Sequence, residues 1–277
     1  MYEAIIKRKI ACLRYIGVEN TTIKDKNVIN RLLGKVEYGN IRRGDWLMNV
    51  YNLNVKVYLL KDIILNKVQQ SIASAIDLAL SKNKYYLQFH NDISYKFYCN
   101  NGLYPLELDG VYKEDNIYTF QIRTIDKELA KYLMKEFRNV VTNDIKILKI
   151  DLKIISKKHI DKIFSITPVV IKNHNGYWRE HMSLKEFEER IKINLIKKYN
   201  KFTGKKIDEN FEFYTAIEFK NRKPISVDYK NIKLLGDKLQ LTIADDEVSQ
   251  KIAYMALGTG LGENNARGLG FVNFRWL

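Results

Sequence analysis

Cysteine and histidine are scarce in this 277-residue chain, and each shortage closes off chemistry. Cys12 and Cys99 are too few for a disulfide framework, a zinc site or an iron–sulfur cluster. That usage fits a reducing compartment, so the cytoplasm is the expected location. No apolar run approaches the roughly 18 residues of a membrane span. The N-terminus follows Ile5-Ile6 with Lys7-Arg8-Lys9, unlike the continuous apolar core of a signal peptide. No membrane partner is therefore expected. The histidines number four, which makes the search for a general acid or base short. His174 and His181 stand seven residues apart without a neighbouring cysteine, which argues against zinc, and His159 falls in a basic linker. Asp245-Asp246-Glu247 reads as the acidic first turn of a helix, where the macrodipole favours negative charge, rather than as a carboxylate metal cluster. Neither metal nor cofactor is expected.

Positive charge is abundant. Forty-seven basic against thirty-two acidic residues leave a formal charge of +15, which favours a polyanionic partner, nucleic acid above all. The same composition, rich in Lys, Asn, Ile and Tyr, is what an AT-rich genome encodes, so charge alone does not decide the matter.

Glycine decides more. The chain has fourteen, and five of them fall in the thirteen residues from Gly258 to Gly270. Such density calls for positive φ or for close backbone approach. Gly260-Leu-Gly262 and Gly268-Leu-Gly270 bracket the insert Glu263-Asn-Asn-Ala-Arg267 like a clasp. A dinucleotide fingerprint fails in both registers, because Asn265 or Glu263 stands where its third glycine belongs. A P-loop fails because Phe271 follows Gly270. Arg267 to Phe274 fits the first contact motif of an RNA-recognition module at every position except Leu269, yet only three residues follow where a helix and a strand should.

This pair of Gly-Leu-Gly steps around five residues resembles the glycine-rich loop of the CRISPR-associated repeat-processing endoribonucleases, members of the RAMP superfamily. The resemblance covers about residues 50–277. Periodicity supports a compatible architecture independently. Leu53–Leu59 alternates as a strand, a helical stripe runs from about Ile64 to Leu80, and Val111-Tyr112 and Ile117–Arg123 form two further strands. Asp126 begins a helix to about Arg138, and Ile145–Ile155 closes the unit. The order then repeats. A strand is expected at Ser165–Ile171, a helix from the capping box Ser183–Glu186 to about Tyr199, and strands at 211–219, 225–229, 232–235 and 238–243. Asp245 caps a helix through Ala256, and Gly270–Trp276 is the last strand. The expected fold is α+β, with tandem ferredoxin-like βαββαβ halves at 48–160 and 161–277, the glycine-rich loop at 258–270, and a basic extension at 1–47. The resemblance adds that the two sheets face one another across a cleft.

It also implies an activity: metal-independent cleavage of CRISPR repeat RNA in the precursor transcript, giving mature guide RNAs with a 2′,3′-cyclic phosphate and a 5′-hydroxyl. Its implied partners are the repeat RNA and other CRISPR effector-complex subunits. The alternative is a catalytically inactive subunit that binds the repeat without cutting it. In the family a histidine follows the first helix and a lysine stands six residues on, which singles out His90 and Lys96 as catalytic. A positioned histidine can move the 2′-hydroxyl or leaving-group proton, and a lysine can stabilise charge on the phosphoryl oxygens. Some relatives use a tyrosine on the first helix; here none lies there, and Tyr85, Tyr86 and Tyr95 are nearest, followed by Ser74 and Ser81. RNA contact is expected from Gly258, Gly260, Gly262, Arg267, Gly268 and Gly270, and from Arg222, Lys223, Lys230 and Lys233.

Overall fold

A ten-residue strand whose Leu53, Val55, Val57 and Leu59 are fully buried while Lys56 is exposed sets the pattern of the first half. The computed structural model describes residues 48–92, 94–172, 176–229 and 232–277, so the expected extension at 1–47, His174 and Lys230 lie outside the described residues.

The first half runs β1 (Val50–Leu59), β2 (Ile63–Ile64), α1 (Val68–Ser81), α2 (Lys84–Asn91), β3 (Tyr98–Asn100), β4 (Val111–Tyr112), β5 (Ile117–Thr124), α3 (Lys127–Glu136) and β6 (Ile145–Ile155). Its sheet has the order β3-β5-β1-β6, antiparallel throughout, with Val55 opposite Phe120 and Ile150. Asp126 caps α3 as expected, its carboxylate accepting from the backbone of Glu128 and Leu129 at 2.8 and 3.1 Å. Two expectations change. Val111-Tyr112 pairs with Ile63-Ile64 in a small side ribbon, and the main-sheet place goes to Tyr98–Asn100, whose three residues are too short for a periodic signal. The helix expected from Ile64 starts at Val68, because Ile63 and Ile64 are engaged in that ribbon.

The second half repeats the plan as β7 (Ile160–Ser165), α4 (Trp178–His181), α5 (Leu184–Thr203), β8 (Tyr214–Phe219), β9 (Ile225–Tyr229), β10 (Ile232–Gly236), β11 (Leu239–Ile243), α6 (Glu247–Thr259) and β12 (Val272–Trp276). The sheet order β12-β7-β11-β8 mirrors that of the first half, and β9–β10 form a separate hairpin. The fold is thus α+β with two ferredoxin-like units. Ser183 makes the full capping box with Glu186, and α5 continues past Tyr199 until Gly204 ends it in the left-handed region. The strand expected at Ser165–Ile171 ends at its first residue. Pro168 has no N–H for a ladder, and Val169, Val170 and Ile171 are buried as a loop. The N-cap of α6 is Asp246, one residue later than expected; Asp245 instead lies 3.0 Å from His159. The last strand lies at the sheet edge, whereas the contact motif of an RNA-recognition module belongs on an inner strand, so that reading fails on topology too.

Helix α6 joins the halves. It packs on β7, β11 and β12 of its own sheet and on β1, β3 and β5 of the other, and every residue from Ile252 to Thr259 is buried. A helical stretch buried on all sides needs neighbours on all sides. Gly258 permits that approach: a Cβ there would stand 2.8 Å from the Ile125 side chain. The Arg123 guanidinium strengthens the seam, donating to the Val272 carbonyl and the Asn273 side chain, each at 2.7 Å, while lying 4.4 Å from the Phe271 ring. Among the described residues, no helix is long and apolar enough to cross a membrane.

Candidate functional site

The first half supplies the titratable groups. Asn83 caps α2, accepting from the backbone of Tyr85 at 2.8 Å. Tyr86 and Phe89, three apart, turn into the core, with the Tyr86 ring 4.1 Å from that of Tyr132. This leaves His90 in the last turn at the helix flank, its Nδ1 3.3 Å from Oδ1 of Asp77 on α1. The chain then doubles back beneath the helix end. The Lys96 ammonium donates to the Phe89 carbonyl and, at 2.7 Å, to that of Asp92, and burial holds its pKa below the ordinary lysine value. A cation under the last carbonyls of a helix also complements its dipole.

The second half supplies the clasp. Beyond α6 the chain turns at Gly260 and returns at Gly270, and much of the turn is tied within the protein. Leu261 N–H donates to Gly270 O at 2.8 Å, Glu263 N–H to Val170 O at 2.9 Å, and Gly270 N–H to Pro168 O at 2.8 Å. Asn265 sits inside, its amide donating to the carbonyls of Leu261 and Leu269 at 2.8 and 3.0 Å. Gly270, at φ +65°, could not carry a Cβ without striking the Leu261 carbonyl. Beneath lies Lys198 of α5, fully enclosed, donating to Gly260 O, Gly262 O and Asn265 Oδ1 at 3.0, 3.2 and 2.8 Å. Three acceptors match the three N–H bonds of an ammonium, yet burial pushes its pKa down to about 7.

The two sets meet around a cavity of about 400 Å³, whose lining includes His90, Tyr95, Lys96, Lys198, Asn264 and Arg267. Arg267 Nη1 is 2.6 Å from Asp77 Oδ2, so one carboxylate stands between the clasp and His90. Of the three nearest tyrosines, Tyr95 is the one that lines the cavity; burial raises its hydroxyl pKa, which keeps it protonated. Gly262 and Arg267 share this lining with His90 and Lys96. Gly258, Gly260, Gly268 and Gly270 do not line it; they are buried against protein, and the amides of Gly260, Gly268 and Gly270 already donate to protein carbonyls. The crowding that the glycine density announced is internal. Arg222 and Lys223 are exposed in the turn before β9, and Lys233 is exposed on β10; none lines the cavity. Tyr177, Trp178 and Arg179 converge on the fully buried Asp237 carboxylate at 2.6, 2.7 and 2.9 Å, so this aromatic motif builds structure. Among the described residues, no group of three metal-ligating side chains comes together.

Sequence reasoning missed Asp77 and Lys198. Lys198 did leave a signal, since it continues the stripe Phe187, Ile191, Leu195 at helical spacing, where an apolar residue belongs. Asp77 adjoins the stripe of α1, and nothing local marks it out.

Two ferredoxin-like units stand in series, with a glycine-rich turn before the last strand. Residues 150–274 match the family model described as CRISPR associated protein Cas6, C-terminal, so the second half is similar to that domain. The CRISPR-associated endoribonuclease Cas6 2 of Methanocaldococcus jannaschii is 24% identical over 231 residues, covering 77% of this chain and 95% of that protein. A solved CRISPR-associated Cas6 superposes with a TM-score of 0.62 at 22% identity, over 82% of this chain and 99% of that one. A solved RAMP protein that binds different RNA substrates gives a TM-score of 0.63 at 17% identity, over 81% and 99%. The resemblance read from the clasp is borne out, and these structures share the fold.

Proposed function

We propose that this protein is an endoribonuclease that cuts CRISPR repeat RNA in its precursor transcript to give guide RNAs. One observation carries the reading: His90 and Lys96 line the same cavity as Gly262 and Arg267 of the clasp. The similarity to a named Cas6 endoribonuclease supports it. RNA brings its own nucleophile. His90 would take the 2′-hydroxyl proton as that oxygen attacks the adjacent phosphorus, the bond to the 5′-oxygen would break, and the products would be a 2′,3′-cyclic phosphate and a 5′-hydroxyl. Lys96 and Arg267 would stabilise charge on the phosphoryl oxygens. No step in this scheme calls for a metal. Arg222, Lys223 and Lys233 would hold flanking RNA through its phosphates.

A second reading, binding without cutting, has its own observation. The Lys96 ammonium is engaged by two helix-end carbonyls, as a structural cap would be. Incubation with synthetic repeat RNA in EDTA separates the two. Cutting at one position, with a 2′,3′-cyclic phosphate on the 5′ fragment by mass spectrometry, is expected. Tight binding with intact RNA would establish the second reading instead.

A further inference from the structure

Asp77 holds an unusual place in this molecule. It lies on α1, is not part of the glycine clasp, and yet touches groups from both halves. Its Oδ2 accepts from Arg267 at 2.6 Å. Its Oδ1 is shut off from solvent and receives no hydrogen bond, although His90 Nδ1 stands only 3.3 Å away. A buried anionic oxygen without a donor is unfavourable, and the nearest group able to supply one is the imidazole. The separation is within reach of a hydrogen bond, and what is missing is alignment, which a rotation of the ring would supply.

We infer that Asp77 is a positioning residue for cleavage: it holds the His90 ring through Nδ1, while Arg267 of the clasp anchors the carboxylate. The inference rests on the ribonuclease reading given above. A neutral imidazole that donates from Nδ1 to a carboxylate carries no proton on Nε2, which is then the nitrogen able to accept from the 2′-hydroxyl. When Nε2 takes that proton, both ring nitrogens donate, and the imidazolium faces a negative charge that stabilises it. Atoms and charge balance: the proton moves from the 2′-oxygen to Nε2, the 2′-oxygen–phosphorus bond forms, the phosphorus–5′-oxygen bond breaks, and solvent protonates the departing oxygen. Asp77 gains and loses no proton. The arrangement assigns His90 the base role and makes that role depend on a residue outside the reacting atoms. It also gives the clasp a hand in the chemistry, because Arg267 keeps Oδ1 turned towards the ring.

The test uses the full chain and two readouts. Nitrogen-15 NMR of the imidazole reports the tautomer without any RNA. Wild-type His90 should show the proton on Nδ1, and Asp77→Asn and Asp77→Ala should both shift the population towards the Nε2–H form. Single-turnover cutting of repeat RNA should fall at least roughly 10-fold in both variants, and by no more than positioned proton transfer contributes, about 10²- to 10⁴-fold. The dissociation constant for uncut RNA should change much less than the rate. Circular dichroism melting identifies any variant that fails to fold, and the two substitutions, one isosteric and one truncating, guard against losing both. A wild-type tautomer and a wild-type rate in folded Asp77→Asn would overturn the inference. If the tautomer shifts while wild-type protein leaves repeat RNA uncut, the positioning role stands and the ribonuclease reading falls.

Discussion

The two halves share one strand order and differ in what their helices do. In the first, α3 buries only Leu129, Ala130 and Leu133, one face against its own sheet, and the extra helix α2 carries His90. In the second, the equivalent helix α6 is buried on all sides from Ile252 to Thr259 and runs directly into the clasp. Both halves contribute lysines to the cavity, and Lys96 and Lys198 are used differently. Lys96 is partly exposed beneath a helix end, whereas Lys198 is enclosed and bonded to the turn itself. On the proposed function a repeated fold is divided between tasks: one unit would offer side chains that move protons, and the other holds a turn in a shape that its own packing enforces. The lesson is that duplication fixes the frame, while the halves diverge in their connections: the first after α1, where α2 carries His90, and the second after α6, where the clasp begins.

If the division is right, substitutions in the two halves should fail in different ways. His90→Ala should show the largest effect, a loss of about 10²- to 10⁴-fold in cutting with RNA affinity preserved; normal cutting would place the chemistry elsewhere. Gly270→Ala should act on folding and grip first. A methyl group directed at the Leu261 carbonyl, on a residue in the left-handed region, should lower unfolding free energy by about 1–3 kcal/mol in urea titration. An unchanged unfolding curve would mean that the clasp is far more plastic than its hydrogen bonds suggest.

Lys198→Met sharpens the comparison through pH. Burial lowers the folded pKa of Lys198 to about 7, against about 10.4 in an unfolded chain. Between those values the unfolded chain holds a proton that the folded one lacks, so wild-type stability rises with pH across that window. Below pH 7 both states are protonated and the full cost of a buried charge is present. The stability of wild type relative to Lys198→Met should therefore climb between pH 7 and 9, by at most about 1.4 kcal/mol per pH unit. A flat difference in urea unfolding would show that the three acceptors keep the ammonium charged throughout.

Much of the fold is legible in the amino-acid sequence, for reasons that can be named. Asp126 and Ser183 announce their helices because capping is local chemistry, and alternation announces the strand at 53–59 because one of its faces is buried; in 145–155 that holds only as far as Ile150, beyond which Leu152 and Ile154 are exposed. The clasp stands out because glycine tolerates conformations that other residues avoid. What escapes is non-local. Val169–Ile171 is as apolar as a strand but is buried under the clasp, and Tyr98–Asn100 takes its place only by pairing with β5. The same limit applies at the site. His90 and Lys96 are within reach through a resemblance, but Asp77 matters because of Arg267, which lies 190 residues away in the chain.

The seam at α6 has a consequence for motion. Tyr254 accepts from the Val50 amide at 3.1 Å and donates to the Ile155 carbonyl at 2.6 Å, and Arg123 reaches across to β12. Proteins that close on a ligand by swinging two domains need a hinge with little packed against it. Here a buried helix and a desolvated guanidinium fill that place, so opening would expose apolar surface on both sheets at once. The chain is built as a fixed bench rather than a jaw. On the proposed function an RNA would have to conform to it, and the time a product stays bound would be set by contacts at the rim of the cavity, not by a slow opening of the protein around it.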